Sequence, residues 1–219
     1  LIDYIDDEAL SILKQMPPGR VQLEIGIQST NAKTLEQVSR INDWQKISSN
    51  IRTILSFKNI HVHTDLIIGL PYEDMDSLHR SFNEVYALYP DMLQVGFLKL
   101  LKGSAMEGLV DTHKYSFMDS APYQILSNAY LSTDNIRFLR TFVDVFDLYY
   151  NSGRFKSCLK YCIKHNNDDA FSFFCAFASF WHEKGLDRTP HSPKLLYKYI
   201  ADFIEIFLPD SHEVIFDLL

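Results

Sequence analysis

The sequence predicts an α/β chain in which three parallel strands alternate with helices and an all-α domain follows. Two observations carry the first half of that expectation. Short branched runs at 21–29, 61–68 and 92–98 alternate apolar and polar residues, and the segments between them have helical spacing. Connections of that length suit right-handed parallel crossovers, and count against an antiparallel or open sheet with one wet face. The third observation is that from about Leu131 the apolar residues are strongly aromatic and fall at helical intervals, as in Phe138, Phe142, Val145, Phe146 and Tyr149. These boundaries give an α/β region at 1–110, a connector at 111–130 and a helical domain at 131–219.

Taken in order, Asp6 to Met16 reads as a helix with acids at its positive end, stopped by Pro17, Pro18 and Gly19. In the first strand Val21, Leu23, Ile25 and Ile27 share one face, with Gln22, Glu24, Gly26 and Gln28 on the other. Helices are expected at Thr34–Arg40 and Trp44–Phe57. The second strand puts Val62, Thr64, Leu66 and Ile68 on one side and His61, His63, Asp65 and Ile67 on the other. A helix from Asp74 to Leu88 leads to the strand Met92–Leu98, where Gln94 and Gly96 oppose Leu93, Val95 and Phe97. Leu100 to Pro122 has no clear period, and a last helix runs from Lys194 to Phe207.

Polar residues therefore collect on one face of all three strands. Barrel interiors are normally filled by branched apolar side chains, so Gln22, Glu24, Gln28, His61, His63, Asp65 and Gln94 suggest an interior that holds a polar ligand. Asp65 is the sharpest anomaly, because a carboxylate within an apolar strand needs either a protein partner or a ligand's polar groups. His61 and His63 share its face, but a metal site wants a third ligand and a supporting shell, and polar lining is the better reading. The other histidines, His79 to His212, show no ligand spacing.

Composition excludes several classes. The net charge of −7 and the lack of a dense Lys/Arg cluster argue against a nucleic-acid surface. No apolar run approaches the roughly 18 residues that a membrane helix needs. Three cysteines and no signal peptide point to a reducing, cytoplasmic setting. A chain opening on Leu1, already near an element boundary, is expected to be part of a longer protein.

The series Gly26-Ile27-Gln28-Ser29, then Arg40, then Asp65-Leu66-Ile67-Ile68-Gly69-Leu70-Pro71 resembles the second half of a radical S-adenosylmethionine (SAM) enzyme of the coproporphyrinogen dehydrogenase type. The resemblance implies the C-terminal half of a partial (β/α) barrel. It also implies that Gln28, Arg40 and Asp65 contact the ribose and methionyl parts of SAM, while backbone around Ile67 and Gly69 borders the adenine. A carboxylate can accept from two sugar hydroxyls, an amide can donate and accept, and a guanidinium can clamp a carboxylate, so the residue types suit those tasks. Without a ligand, Arg40 would read as a solvated helix residue.

Pro17 to Ser29 and Gly96-Phe97-Leu98-Lys99-Leu100-Leu101-Lys102-Gly103 look like the cobalamin-binding radical SAM group labelled magnesium-protoporphyrin IX monomethyl ester (oxidative) cyclase-like. Many relatives in that group carry Glu where this chain has Gln28. The resemblance further implies cobalamin and a four-iron four-sulfur (4Fe-4S) cluster in the longer parent, whose ligands are not in this chain. Cluster chemistry wants closely spaced cysteines, usually CxxxCxxC; Cys158 and Cys162 have only the first spacing, in an expected helix. The expected function is thus part of an oxidoreductase or methyltransferase of the radical SAM class, acting on a small-molecule or cofactor-like substrate and inactive as this piece alone. The alternative is a non-catalytic scaffold that keeps the half barrel without the cluster. Three strands of a larger barrel would also leave an unpaired sheet edge, through which copies could associate.

Overall fold

The computed structural model describes residues 2, 5–40, 43–188, 190–209 and 218; His212 lies outside them. The chain forms two compact units, residues 1–136 and 137–219.

The first unit is built on a three-stranded parallel sheet in the order β1 (Val21–Gln28), β2 (Ile60–Ile68), β3 (Met92–Phe97). The α/β class expected from the alternation is what forms. In β2, Ile60, Val62, Thr64, Leu66 and Ile68 are buried in strict alternation with His61, His63, Asp65 and Ile67, because a pleated strand sends successive side chains to opposite faces. Among the described residues no strand pairs with the outer edge of β1.

Helix ends follow local chemistry. Helix α1 (Asp7–Gln15) is capped by Asp6, whose carboxylate accepts from the Ala9 N–H. It ends where Met16, preceding Pro17, is forced into extended backbone with ψ 139°. Helix α2 spans Ala32–Gln37, earlier than the expected Thr34–Arg40, because Asn31 caps it by accepting from the Lys33 N–H. Ser39, at φ 55°, marks its exit and leaves Arg40 outside the helix. Helix α3 (Trp44–Phe57) buries Ile47, Ile51 and Ile54, and α4 (Met75–Tyr86) buries Leu78, Phe82 and Val85. Each begins at a capping aspartate, Asp43 and Asp74.

Beyond β3 the segment without clear period is ordered by hydrogen bonds rather than by apolar alternation. The Leu98 N–H donates to Ile68 O, and the Ile125 N–H returns to Leu98 O, both at 2.9 Å. The chain thus runs back antiparallel along the continuation of β3, with a bridge between Lys99 and Gln124. Two short strands, β4 (Ser116–Phe117) and β5 (Ile125–Ser127), pair antiparallel within it.

In the second unit, the C-terminal part of α5 (Thr133–Phe146) and a π turn at Asp147–Asn151 join α6 (Lys156–His165), α7 (Ala170–Glu183) and α8 (Pro193–Phe207). Phe142, Phe146, Phe173, Phe174 and Phe177 are fully buried, and the Phe177 and Phe203 rings stack 4.4 Å apart. Tyr149 is also sealed in, and its hydroxyl donates to Leu196 O at 3.0 Å, which satisfies the polar end of a buried ring.

Candidate ligand site at the strand ends

The parallel register lays Gly26, Asp65 and Gln94 in one row across the polar face, with Glu24, His63 and Met92 in the row before it. At the C-terminal ends of the strands this face opens into a groove of about 550 Å³. Gln28, Asp65, Ile67, Gln94, Lys99 and Gln124 are among its lining residues. Gly96 is in the floor, where an added Cβ would meet nothing nearer than Leu66 O at 3.9 Å. Gly96 therefore leaves the floor beside Gln94 free of a side chain, whereas the space over Gly26 is taken by the Gln28 amide.

Gln28 reaches the groove through unusual backbone. Its φ is 71°, in the left-handed region, and the β1–β2 register slips between Gly26 and Gln28. Such a bulge re-aims a side chain, and a Cβ on Gly26 would collide with the Gln28 amide. Left-handed backbone at a non-glycine residue costs on the order of 1 kcal/mol, and persists only where neighbours hold it. Arg40 is nearby but does not line the groove: its Nη1 donates to Gly26 O at 2.9 Å, so the guanidinium braces the end of β1.

Asp65 is half-buried, with Oδ1 3.1 Å from His63 Nε2. Burial raises its carboxyl above the usual range, the nearby His63 lowers it, and Glu24 raises it. Both sequence alternatives for Asp65 are thus available at once, since one oxygen meets a protein partner and the side chain still faces the groove. His61 sits at the far end of β2, beside Asp91 at 4.0 Å. Among the described residues no group of three or more His, Cys, Asp or Glu is arranged to hold a metal ion.

Gly69 is held from behind. Its carbonyl accepts from the Tyr115 hydroxyl at 2.8 Å and from Asn128 Nδ2 at 3.0 Å. Its φ is 97°, and a Cβ there would strike Ile125. The 111–130 segment thereby clamps the turn that ends β2.

A second polar cluster lies beneath the turns, and sequence reasoning missed it. Glu73 is 1% exposed, between Ser29 at 1% and Ser81 at 0%. Its Oε1 accepts from Ser29 Oγ at 2.6 Å and from Ser81 Oγ at 3.1 Å, while its Oε2 has no partner. Burial pushes its carboxyl up to about 7, the two hydroxyls oppose that shift, and Asp74 adds to it. The only sequence signal was an acid two places after Pro71, which reads as an ordinary turn residue.

The thiols are elsewhere. Cys158 and Cys162 are buried one turn apart in α6, and Cys162 is pushed far up by its hydrogen bond with Cys158 and by burial. Burial raises Cys175 to about 12. With Cys175 in α7, the three lack the closely spaced CxxxCxxC arrangement that cluster ligation usually uses.

Comparison with known proteins adds the following. Residues 111–219, just under half the chain, match a family model described as "Protein of unknown function (DUF4080)". The oxygen-independent coproporphyrinogen III oxidase of Pseudomonas aeruginosa is 29% identical over 90 residues, 41% of this chain and 19% of that protein. Among solved structures, coproporphyrinogen III oxidase (HemN) from Escherichia coli, a radical SAM enzyme, aligns with TM-score 0.40 and 18% identity over 64% of this chain and 36% of its own. The chain thus spans about a fifth of the curated relative and about a third of the solved one. The sequence match relates 90 residues of this chain to that oxidase.

Proposed function

We propose that the groove at the ends of β1, β2 and β3 is part of the S-adenosylmethionine site of a larger radical SAM enzyme. The observation that carries this reading is the row Gly26, Asp65, Gln94. It presents one carboxylate beside an amide, with the Gln28 amide lying over Gly26 on its other side. A carboxylate so placed accepts from two vicinal hydroxyls, and the amides of Gln28 and Gln94 pair with groups that both donate and accept. Ile67 supplies apolar surface for a planar base, the Gly69 turn ends the strand behind it, and Arg40 acts by bracing Gly26. Reductive cleavage of the bound cosubstrate is the chemistry that such a site serves, and this chain's part is to bind, orient and exclude water.

The donor set in this chain fits the cosubstrate and does not fit the 4Fe-4S cluster. Cluster and cobalamin, if the parent uses both, belong to other parts of that protein. In this reading 1–110 is the barrel portion, 111–130 the connector that also clamps Gly69, and 131–219 a helical domain. The substrate is a small or cofactor-like molecule in the cytoplasm, and the reaction is an oxidation or a methyl transfer of the cyclase-like kind. The open edge of β1 would pair with further strands or with a second copy. A scaffold reading is favoured by one observation, the placement of all three cysteines in helices, two of them buried in α6.

Substitution tests the reading. In the full-length protein, Asp65→Ala is expected to weaken SAM binding by on the order of 1–3 kcal/mol, because two hydroxyls lose their acceptor. Calorimetry that finds unchanged affinity would sink the assignment.

A further inference from the structure

Glu73 has an arrangement that a merely structural acid does not need. Ser29 Oγ and Ser81 Oγ are both committed to Oε1, since each also accepts a backbone N–H: Ser29 from Asn31 at 3.0 Å and Ser81 from Thr30 at 3.1 Å. A hydroxyl has a single proton to give, so neither can serve Oε2. An ionised Glu73 would therefore leave half its charge on an oxygen sealed from water with no donor, whereas a neutral acid keeps both bonds to Oε1 and buries no charge.

The same side chain joins the two turns that shape the groove. Ser29 follows Gln28, whose backbone is left-handed at φ 71°. Glu73 follows Tyr72, also left-handed at φ 61°, and lies four residues past Gly69. Two further bonds run alongside: Asn31 Nδ2 donates to Tyr72 O at 3.0 Å, and Thr34 Oγ1 donates to Pro71 O at 2.8 Å. Strained residues of this kind stay in place only where their surroundings over-determine them, and Glu73 is the buried carboxyl at that junction.

We propose that Glu73 is a positioning residue for the groove: as a neutral acid it locks the Gln28–Asn31 turn to the Gly69–Glu73 turn, and its ionisation releases them. Burial and the Asp74 carboxylate favour the neutral form, against the Ser29 and Ser81 hydroxyls, which favour the charged one. Asp74, with Arg80 acting on its outer side, brings charge of like sign, and Tyr115 feels the Glu73 charge from the 111–130 segment. Lys33 stands over the Tyr72 ring at 3.9 Å, and His113 meets that ring edge-on at 5.1 Å. The upward shift of its carboxyl to about 7 places the change within the range a cell experiences.

Hydrogen exchange in the full-length protein reads this directly and needs no ligand. In wild type, the backbone amides of Thr30, Asn31 and Glu73, which are hydrogen-bonded within these turns, are expected to lose about tenfold or more of their protection between pH 6 and pH 8.5, after correction for intrinsic rates, while those of 62–66 do not. Glu73→Gln, which holds the two acceptor bonds at Oε1 and cannot ionise, is expected to abolish that pH dependence. Ser81→Ala removes a bond that favours the charged form, so it should move the loss to higher pH even if Glu73→Gln folds poorly. Equal pH dependence in wild type and Glu73→Gln, or none in wild type, would overturn the proposal whatever the groove binds. Affinity for S-adenosylhomocysteine, followed in parallel, should share the same midpoint. Exchange that titrates while affinity stays undetectable would leave Glu73 in its role and remove the SAM reading instead.

Discussion

Burial raises the carboxyls of both Asp65 and Glu73, eight positions apart, but their surroundings differ. Asp65 keeps access to water and to His63, whereas Glu73 is sealed with one oxygen unsatisfied. The sign of the Glu73 contribution to stability follows. Its folded-state value is raised from 4.5 to about 7, so ionisation opposes folding. Its contribution is most favourable below the unfolded value, is lost progressively as pH rises toward the folded one, and amounts to about 3 kcal/mol across that window. Denaturant unfolding at pH 5 and pH 8 should show wild type losing stability relative to Glu73→Gln by that order as pH rises. A second test falls on Gly69, where Ala adds a Cβ in left-handed backbone against Ile125. Gly69→Ala is expected to destabilise by more than about 1 kcal/mol in the same assay. Asp65 was placed on the polar face by local strand parity, whereas Gln28 reaches the groove through a bulge and a left-handed φ that parity does not foretell. Glu73 was not, because its partners Ser29 and Ser81 come from other turns and nothing local marks them as facing it.

At the scale of elements, the strands were readable because burial on one face enforces a period of two, and β2 obeys it without exception. Helix α2 was placed late because Asn31 was not weighed as a cap, although its side chain accepts from the Lys33 N–H. The β3 to α5 segment was opaque for a different reason. Its order comes from side chains reaching carbonyls, as Tyr115 and Asn128 reach Gly69 O, and such bonds leave no periodic trace. This gives the segment a testable weight. Asn128→Ala removes a donor to Gly69 and the acceptor for the Tyr130 and Leu131 N–H groups. It should cost on the order of 1–3 kcal/mol in denaturant unfolding. It should also raise exchange of the amides near Gly69, and a change of a few tenths of a kcal/mol would show that the clamp is incidental.

At the scale of the molecule, a parallel sheet whose edge strands β1 and β3 pair with no further strand among the described residues, together with a polar groove, occupies one compact unit, and an aromatic helical core the other. Cysteines suited to a cluster are in neither, so anaerobic reconstitution of this chain with iron and sulfide should leave it without the cluster's charge-transfer absorption. The groove's occupant is the central claim, and titration of the isotope-labelled protein with S-adenosylhomocysteine, followed by amide and side-chain shifts, tests it most directly. Saturable shifts at Gln28, at Asp65 to Ile67, and at Gln94 to Gly96, abolished by Asp65→Ala, are the expected result. Shifts confined to other parts of the chain, or none at millimolar ligand, would contradict it.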